Sequence, residues 1–395
     1  MGKKNAEFSK ILNTKDVLVI AFGAMIGWGW VVSSGQWIQT GGVLGTAIAF
    51  LIGGIMIYFV GLAYAELTTA MPKCGGEHVF SYRAFGPIVS FICTWTIILS
   101  YIGVVCYEAV SFPTIIQYLF PEYLKGYMYT IAGFDVYASW VAVGIIPSII
   151  IMLLNIIGTK KAATLQTILT FIIAGVGIIL AASSVFNGDL ENVKGQVFSS
   201  GSTSVVKNIA KVAVMTPFFF FGFDVIPQAA EEIKVPLKKL GKLIVLSIVM
   251  AVMFYTMVVV SVGFILNPTE INESMNTTGL VTADAMKKAF SSEMMAKVLI
   301  IGGLCGIITS WNSFLIGGSR AIYALATSYM LPASFGKLHK KWKSPILAIL
   351  LVGSLSIAAP FFGRKMMIWI VDAANFSCSL ELSRNVQSEN TQNHG

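Results

Sequence analysis

The chain has 395 residues, of which 56% are hydrophobic and 12% are charged, and its formal net charge is +8. Soluble domains carry about 25% charged residues, so this composition excludes a soluble globular protein and indicates an integral membrane protein with many spans. The positive charge does not indicate a nucleic-acid partner, because Lys and Arg lie mainly between the apolar segments.

Apolar segments of about 20 residues predict the membrane-spanning helices. They lie at 16–38, 43–68, 88–112, 137–157, 163–186, 208–230, 241–266, 295–327 and 345–361, and a tenth begins near 366. The polar segment 1–15 lacks the apolar core and cleavage site of a signal peptide. Lys and Arg are more frequent in the loops on its side of the predicted membrane. By the positive-inside rule, we expect a plasma-membrane protein with a cytoplasmic N-terminus.

The end of the chain departs from this pattern. The segment MMIWIVDAANFSC at 366–378 begins like a helix, but the polar tail 379–395 cannot cross hydrocarbon. One interpretation is a nine-helix protein with an interfacial segment and a cytoplasmic tail. The interpretation that we favour is a chain truncated within helix 10.

Two of the predicted spans contain helix-breaking residues near their middle. The first reads AFGAMIGWGW around Gly27, and the sixth, TPFFFFGFDVIPQAAEE, contains Pro217, Gly222, Asp224 and Pro227. Proline removes a helical hydrogen bond, and glycine permits an unwound backbone. We therefore predict that both helices are broken at mid-membrane depth.

Broken helices at matching places in two halves of a chain are typical of an inverted-repeat transporter with its binding site at the breaks. The exposed amides of a break suit a carboxylate, and the exposed carbonyls suit an ammonium group. Together they suit an α-amino acid. The alternative is that the glycines serve close helix packing, as Gly53, Gly54 and Gly61 are expected to do in the second span.

Four motifs, in order along the chain, resemble those of the amino acid–polyamine–organocation (APC) permeases. They are the G-x-x-I-G-x-G pattern that begins at Gly23, and the segments ELTTAMPKCGGEHVFSYRAFG, FFFFGFDVIPQAAEEIKVP and SRAIYALATSYMLP. The resemblance covers about residues 14–376. It implies an all-α integral membrane protein with the LeuT-type 5+5 inverted repeat and broken helices 1 and 6. The implied repeats are residues 16–186 (helices 1–5) and 208–378 (helices 6–10, incomplete).

The resemblance also implies which residues bind substrate. The carboxylate would meet the amides near Gly27, Trp28 and Gly29, and Phe218 matches a gating aromatic. The remaining implied positions supply carbonyls for the ammonium group (Ala24, Met25, Phe220 and Phe221) and an acidic side chain after the second break (Asp224).

The chain also departs from the family pattern. Trp28 stands where a small residue is usual, so its ring either narrows the pocket or faces away from it. Ile173 stands where proton-linked members often carry a lysine, seven residues after Gln166, so that coupling amine is absent. The segment Thr327, Ser328 and Tyr329 replaces a common Arg-Asp-Gly, and the chain stops inside helix 10.

Further polar residues within the spans have two interpretations each. Asp224 either couples to protons or binds a cation, or it caps backbone groups at the break. Glu108, placed toward the outer end of helix 3, either selects cationic substrates or is solvated. Asn312 either lines the cavity or bonds between helices. A sodium site at Ser310, Ser313 and Ser319 with helix-1 carbonyls is a further hypothesis, against ordinary serine hydrogen bonding.

The leading prediction is a secondary active amino-acid permease or exchanger that works by alternating access, with no enzymatic activity. Its expected partners are an amino acid as small-molecule substrate and the lipid bilayer, with no nucleic acid. We expect no cofactor or resident metal; coupling to a proton or sodium gradient is possible. The alternatives are a polyamine carrier, or a truncated, non-transporting membrane protein on the same fold. A membrane enzyme ranks third, because no catalytic motif appears.

Overall fold

The computed structural model describes residues 7–199 and 204–364. Its α-helices are, in chain order, α1 Thr14–Met25, α2 Gly29–Val32, α3 Ser34–Gly41, α4 Val43–Ala70, α5 Glu77–Phe85, α6 Pro87–Leu119, α7 Ala138–Ile157, α8 Thr159–Asn187, α9 Leu190–Lys194, α10 Val205–Phe220, α11 Val225–Gln228, α12 Leu237–Ile265, α13 Pro268–Thr277, α14 Val281–Phe290, α15 Glu293–Thr327 and α16 Ile346–Ala358. Short 3-10 helices span Pro121–Tyr123, Ala230–Glu232 and Ala359–Phe362, and the strands β1 Tyr127–Ile131 and β2 Phe134–Tyr137 pair antiparallel.

Seven helical segments among the described residues are long and apolar enough to cross a membrane: Val43–Ala70, Glu77–Leu119, Ala138–Ile157, Thr159–Asn187, Val205–Gln228, Leu237–Ile265 and Glu293–Thr327. A shorter apolar segment covers Ile346–Phe362. The all-α membrane class is thereby confirmed. The predicted tenth helix and polar tail lie outside the described residues, so the truncation hypothesis stays a prediction.

The loops hold structure that the span predictions did not include. The connection after α6 carries the β1–β2 hairpin, and the connection after α12 folds into the amphipathic helices α13 and α14. The pattern of apolar spans does not predict these elements because it marks only continuous apolar segments. The first predicted span is divided into α1, α2 and α3, and the sixth is divided into α10 and α11.

Helix α15 lies at the centre of the bundle. In its most apolar window, 89% of the residues are buried inside the protein, against at most half in the other crossing segments. Glycines bring α1 and α2 close to it: an ideal Cβ on Gly306 would lie 2.5 Å from the Gly27 carbonyl oxygen. Small residues at a helix interface permit this approach of two backbones. Helix α15 therefore forms one wall beside the break in the first span.

The connections define two faces of the molecule. We call the side with residues 8–13 and the loops 71–76, 229–236 and 328–345 the N-terminal face. The side with the loops 120–137 and 266–292 is the opposite face.

Candidate functional site

The first break separates α1 from α2. The helix ends at Met25, and Ile26 has φ −103° and ψ 83°, which is not helical. Gly29 then begins α2. Among the described residues, the amides of Gly27 and Trp28 have no backbone carbonyl as acceptor. The predicted break is confirmed, and it exposes the donors that can bind an anion.

The second break follows α10. Gly222 has φ +134°, a conformation that favours glycine. An ideal Cβ on Gly222 would lie 2.7 Å from Ala24 Cβ and 2.9 Å from the Ala24 carbonyl carbon. The two breaks are therefore in direct contact, and a side chain at Gly222 would force them apart.

Asp224 satisfies the backbone of this second break. Its Oδ1 accepts the Gly222 amide at 2.9 Å, and its Oδ2 accepts the Tyr101 hydroxyl. The carboxylate is 1% exposed. These contacts match the capping interpretation of Asp224.

A cavity of about 840 Å³, including space open to solvent, adjoins both breaks. Its walls are the break between α1 and α2, the outer half of α6, the end of α10, Tyr255 of α12, and Ser310 and Phe314 of α15. The mainly apolar walls with few polar groups are typical of a small-molecule site.

Seven of the ten predicted site residues line this cavity: Ala24, Met25, Gly27, Trp28, Gly29, Phe218 and Phe221. The Trp28 ring is directed at α15, where an ideal Cβ on Gly303 would lie 2.1 Å from Trp28 Cζ3. The large ring thus occupies space that a glycine leaves open, while part of it still borders the cavity.

The structure places the other three, Phe220, Asp224 and Asn312, outside the cavity lining. Phe220 is fully buried and packs edge-to-face against Phe50 and Tyr255. Asn312 Oδ1 accepts Asn155 Nδ2 at 2.8 Å, and its Nδ2 donates to Gln166 Oε1 at 2.8 Å. Asn312 therefore bonds between helices.

Gln166 joins α8 to α1 and α15. Its Nε2 donates to the Thr309 carbonyl at 3.1 Å and to Ser313 Oγ at 2.9 Å, and the Ser313 hydroxyl donates to the Ile20 carbonyl at 3.0 Å. Ser319 instead donates to Ile316, one turn away on α15. The three serines of the sodium hypothesis thus point to different partners.

Two polar residues of the cavity wall, Glu108 and Tyr255, were not among the ten predicted site residues. Glu108 lies in the outer half of α6, as predicted, but it is buried rather than solvated, and its Oε1 lies 3.3 Å from the position of an ideal Cβ on Gly27. Tyr255 donates its hydroxyl to the Met25 carbonyl at 2.9 Å. For both residues, a polar group within an apolar helix was the sequence feature that could have indicated a binding role. That feature does not tell which way the side chain points.

Buried polar contacts close the N-terminal face. Arg320 Nε donates to Glu232 Oε1 at 2.8 Å, with both side chains almost fully buried, and the Thr159 hydroxyl bonds to both residues. Lys160 and Asp16 pair at 2.6 Å. Removing one partner of a buried ion pair is strongly destabilising, so the Arg320–Glu232 pair joins α15 firmly to the segment after the second break, whereas the Lys160–Asp16 pair, with its half-exposed lysine, contributes less.

The loop residue Cys74 lies in the same closed region. Burial raises the pKa of its thiol well above the ordinary value, and Glu231 and Glu232 raise that pKa further. The thiol therefore stays protonated and donates to the Arg320 carbonyl at 3.8 Å.

The amino acid permease family model matches residues 16–364 of the chain. The chain belongs to this family. The permease is 26% identical over 355 residues to the branched-chain amino acid permease BcaP of Bacillus subtilis, covering 87% of this chain and 73% of the relative. It is 25% identical over 362 residues to the aspartate-proton symporter of the same organism, and the match covers 90% of this chain and 67% of the relative. It is also 24% identical over 373 residues to a methylthioribose transporter of that organism, and the match covers 89% of this chain and 74% of the relative.

Family and structure together give the permease an all-α LeuT-type fold with broken first and sixth spans, and amino-acid transport as its function. The predicted repeat boundaries, 16–186 and 208–378, stay predictions, and residues 365–378 lie outside the described part of the chain.

Proposed function

We propose that the cavity binds an α-amino acid with an apolar side chain and that the permease carries it across the membrane by alternating access, without covalent chemistry. The observation that carries this proposal is the contact between the two breaks at one wall of the cavity. Backbone groups of the first and the sixth span thereby lie within reach of one small molecule in the cavity.

The substrate carboxylate is assigned to the amides of Gly27, Trp28 and Gly29. These three residues line the cavity at the start of α2, where a helix N-terminus favours an anion. The ammonium group is assigned to the carbonyls of Ala24 and Phe221, which come from the two breaks. Met25 contributes less, because its carbonyl already accepts the Tyr255 hydroxyl.

The substrate side chain is assigned to the apolar part of the cavity. Phe221 and Phe314 stack there with centroids 5.6 Å apart, and Val104 and Phe218 complete this wall. Such a surface favours an aliphatic side chain through the burial of apolar area. The name of one relative, a branched-chain amino acid permease, agrees with this substrate class.

The structure corresponds to one state of the proposed cycle. The N-terminal face is closed by the Arg320–Glu232 pair, and the cavity lies on the other side of that pair. The excess of Lys and Arg in the loops of the N-terminal face supports a cytoplasmic location for this face. We assign the observed state to a plasma-membrane protein that is closed toward the cytoplasm.

The test is counterflow in proteoliposomes with labelled L-leucine, L-aspartate, L-lysine and putrescine, with and without sodium. We expect the largest exchange for L-leucine. Exchange of putrescine alone would favour the polyamine alternative, and no exchange by correctly inserted protein would overturn the proposal.

Substitution of Gly27 locates the site. In Gly27→Leu, the new side chain meets Glu108 and Ser310, fills the cavity beside the amides, and should abolish counterflow. The matched control is Gly175→Leu, since nothing lies within 4 Å of an ideal Cβ at Gly175. Both variants should insert like the wild type; normal transport by Gly27→Leu would place the site elsewhere.

A further inference from the structure

Glu108 is a buried acidic residue in the wall of the cavity. It is 3% exposed, and its Oε1 lies beside Gly27, at the amides assigned to the substrate carboxylate. Its Oε2 is buried and has no hydrogen-bond partner in the described part of the chain. This carboxyl group therefore has an unused oxygen, in contrast to Asp224, whose two oxygens both accept hydrogen bonds.

The surroundings of Glu108 contain no compensating cation within residues 7–199 and 204–364. Ser310 of α15 presents a hydroxyl, and Gly27 of the first break presents backbone. The titratable neighbours are Tyr107 on the same helix and Tyr255 on α12, and Arg364 interacts with Tyr107. Arg320, the buried arginine of α15, is paired with Glu232.

A bound amino acid changes the electrostatics of this carboxyl group. A substrate carboxylate on the Gly27 amide would stand next to Glu108, and two ionised carboxylates at close range repel one another in a site that excludes water. If Glu108 carries a proton, the repulsion is replaced by a hydrogen bond from the Glu108 O–H to the substrate carboxylate. A bound substrate thereby raises the affinity of Glu108 for a proton, and a bound proton raises the affinity of the cavity for the substrate by the same factor.

We propose that Glu108 is the proton-binding site of the permease and that one proton travels with each substrate. This inference rests on the proposed function, because the substrate carboxylate supplies the coupling. The proton enters from solvent through the cavity, is held on Glu108 while both faces are closed, and returns to solvent when the N-terminal face opens and the substrate leaves. Proton and substrate move together, so no other reactant is needed.

The first test uses wild-type protein alone, in weakly buffered detergent solution with a pH dye. The probe is L-leucine or whichever amino acid of the panel shows the largest counterflow. At alkaline pH we expect binding to take up about one proton, and the apparent Kd to rise by up to about tenfold per pH unit. Binding without proton uptake across the pH range would overturn the inference and leave the proposed function intact.

The second test replaces the proton site. The glutamine of Glu108→Gln has nearly the shape of a protonated glutamic acid but cannot bind or release a proton. We therefore expect this variant to lose proton uptake on binding, the pH dependence of the Kd and substrate accumulation driven by a pH gradient. The matched control is Glu122→Gln, an exposed carboxylate just beyond the end of α6, which should keep all three. Proton uptake by Glu108→Gln would overturn the inference.

One further outcome would give Glu108 a different role. If Glu108→Gln lost only the binding of L-lysine, while proton uptake with L-leucine persisted, Glu108 would recognise a cationic substrate side chain and the inference would be wrong. If no amino acid bound or exchanged with the wild type, the proposed function itself would fail, and the proton-site inference with it.

Discussion

Within residues 7–199 and 204–364, the first break leaves the amides of Gly27 and Trp28 without a backbone acceptor, whereas at the second break the Gly222 amide donates to Asp224. Both segments are unwound and they touch each other, but only the first presents unpaired donors to the cavity. Unwound backbone within a membrane must be satisfied by protein or by a water-filled cavity. The comparison indicates that a protein carboxylate satisfies the Gly222 amide at the second break, whereas the contents of the cavity can satisfy the amides of Gly27 and Trp28 at the first.

The largest expected effect is at Gly222. In Gly222→Ala, the alanine would have to adopt φ +134°, and its Cβ would lie 2.7 Å from Ala24 Cβ. The strained conformation costs about 1–3 kcal/mol, and the overlap adds about 1–3 kcal/mol. We expect little folded protein by size-exclusion chromatography, while Gly175→Ala behaves like the wild type. A stable Gly222→Ala protein would show that the breaks do not need their close contact.

A smaller loss of stability is expected at Asp224. Asp224→Ala removes the acceptor of the Gly222 amide and an acceptor of the Tyr101 hydroxyl, and a buried donor left without its acceptor costs about 1–3 kcal/mol. The thermal unfolding midpoint in detergent should therefore fall. Asp224→Asn retains an oxygen for the Gly222 amide and should lose less. If both variants kept wild-type stability and lost transport, Asp224 would bind substrate or ions rather than cap the break.

The smallest loss of stability is expected at Tyr255, whose hydroxyl bonds to the backbone of the first break. Tyr255→Phe removes the hydroxyl that donates to the Met25 carbonyl and should lower the free energy of unfolding by about 1 kcal/mol. It should also leave that carbonyl open to a substrate ammonium group. Chemical denaturation measures the first effect, and the Kd of the probe amino acid measures the second. A stability loss as large as that of Asp224→Ala would mean that the first break, too, depends on protein contacts.

The two breaks were predictable from sequence because glycine and proline act locally. A helix that contains Pro217 and Gly222 is interrupted wherever its neighbours lie. The seven cavity residues near Gly27 and Phe221 were implied by the family resemblance, and they lie together because they flank the two breaks.

The contacts of Asp224, Asn312 and Glu108 were not predictable, because each depends on another helix. The partners of Asn312 are 146 and 157 residues away in the chain, and Tyr101 is 123 residues from Asp224. The position of a side chain along a membrane helix gives its depth, while its direction depends on the packing of the bundle. Glu108 does lie toward the outer end of its helix, as predicted, but its contact with Gly27 was not predictable because Gly27 belongs to a different span.

The segment before α1 is tied directly to the chain that follows the second break. The amides of Ile11 and Leu12 donate to the Glu232 carbonyl at 2.9 and 3.0 Å, and the Lys234 amide donates to the Leu12 carbonyl at 2.8 Å. Phe8 lies over the Arg320 guanidinium, 6.0 Å from the ring centroid. Residues 8–12 are thus part of the closed N-terminal face, and we expect these hydrogen bonds to break when that face opens. A fluorophore or spin label near Phe8 would turn this segment into a reporter whose signal follows each turnover in real time.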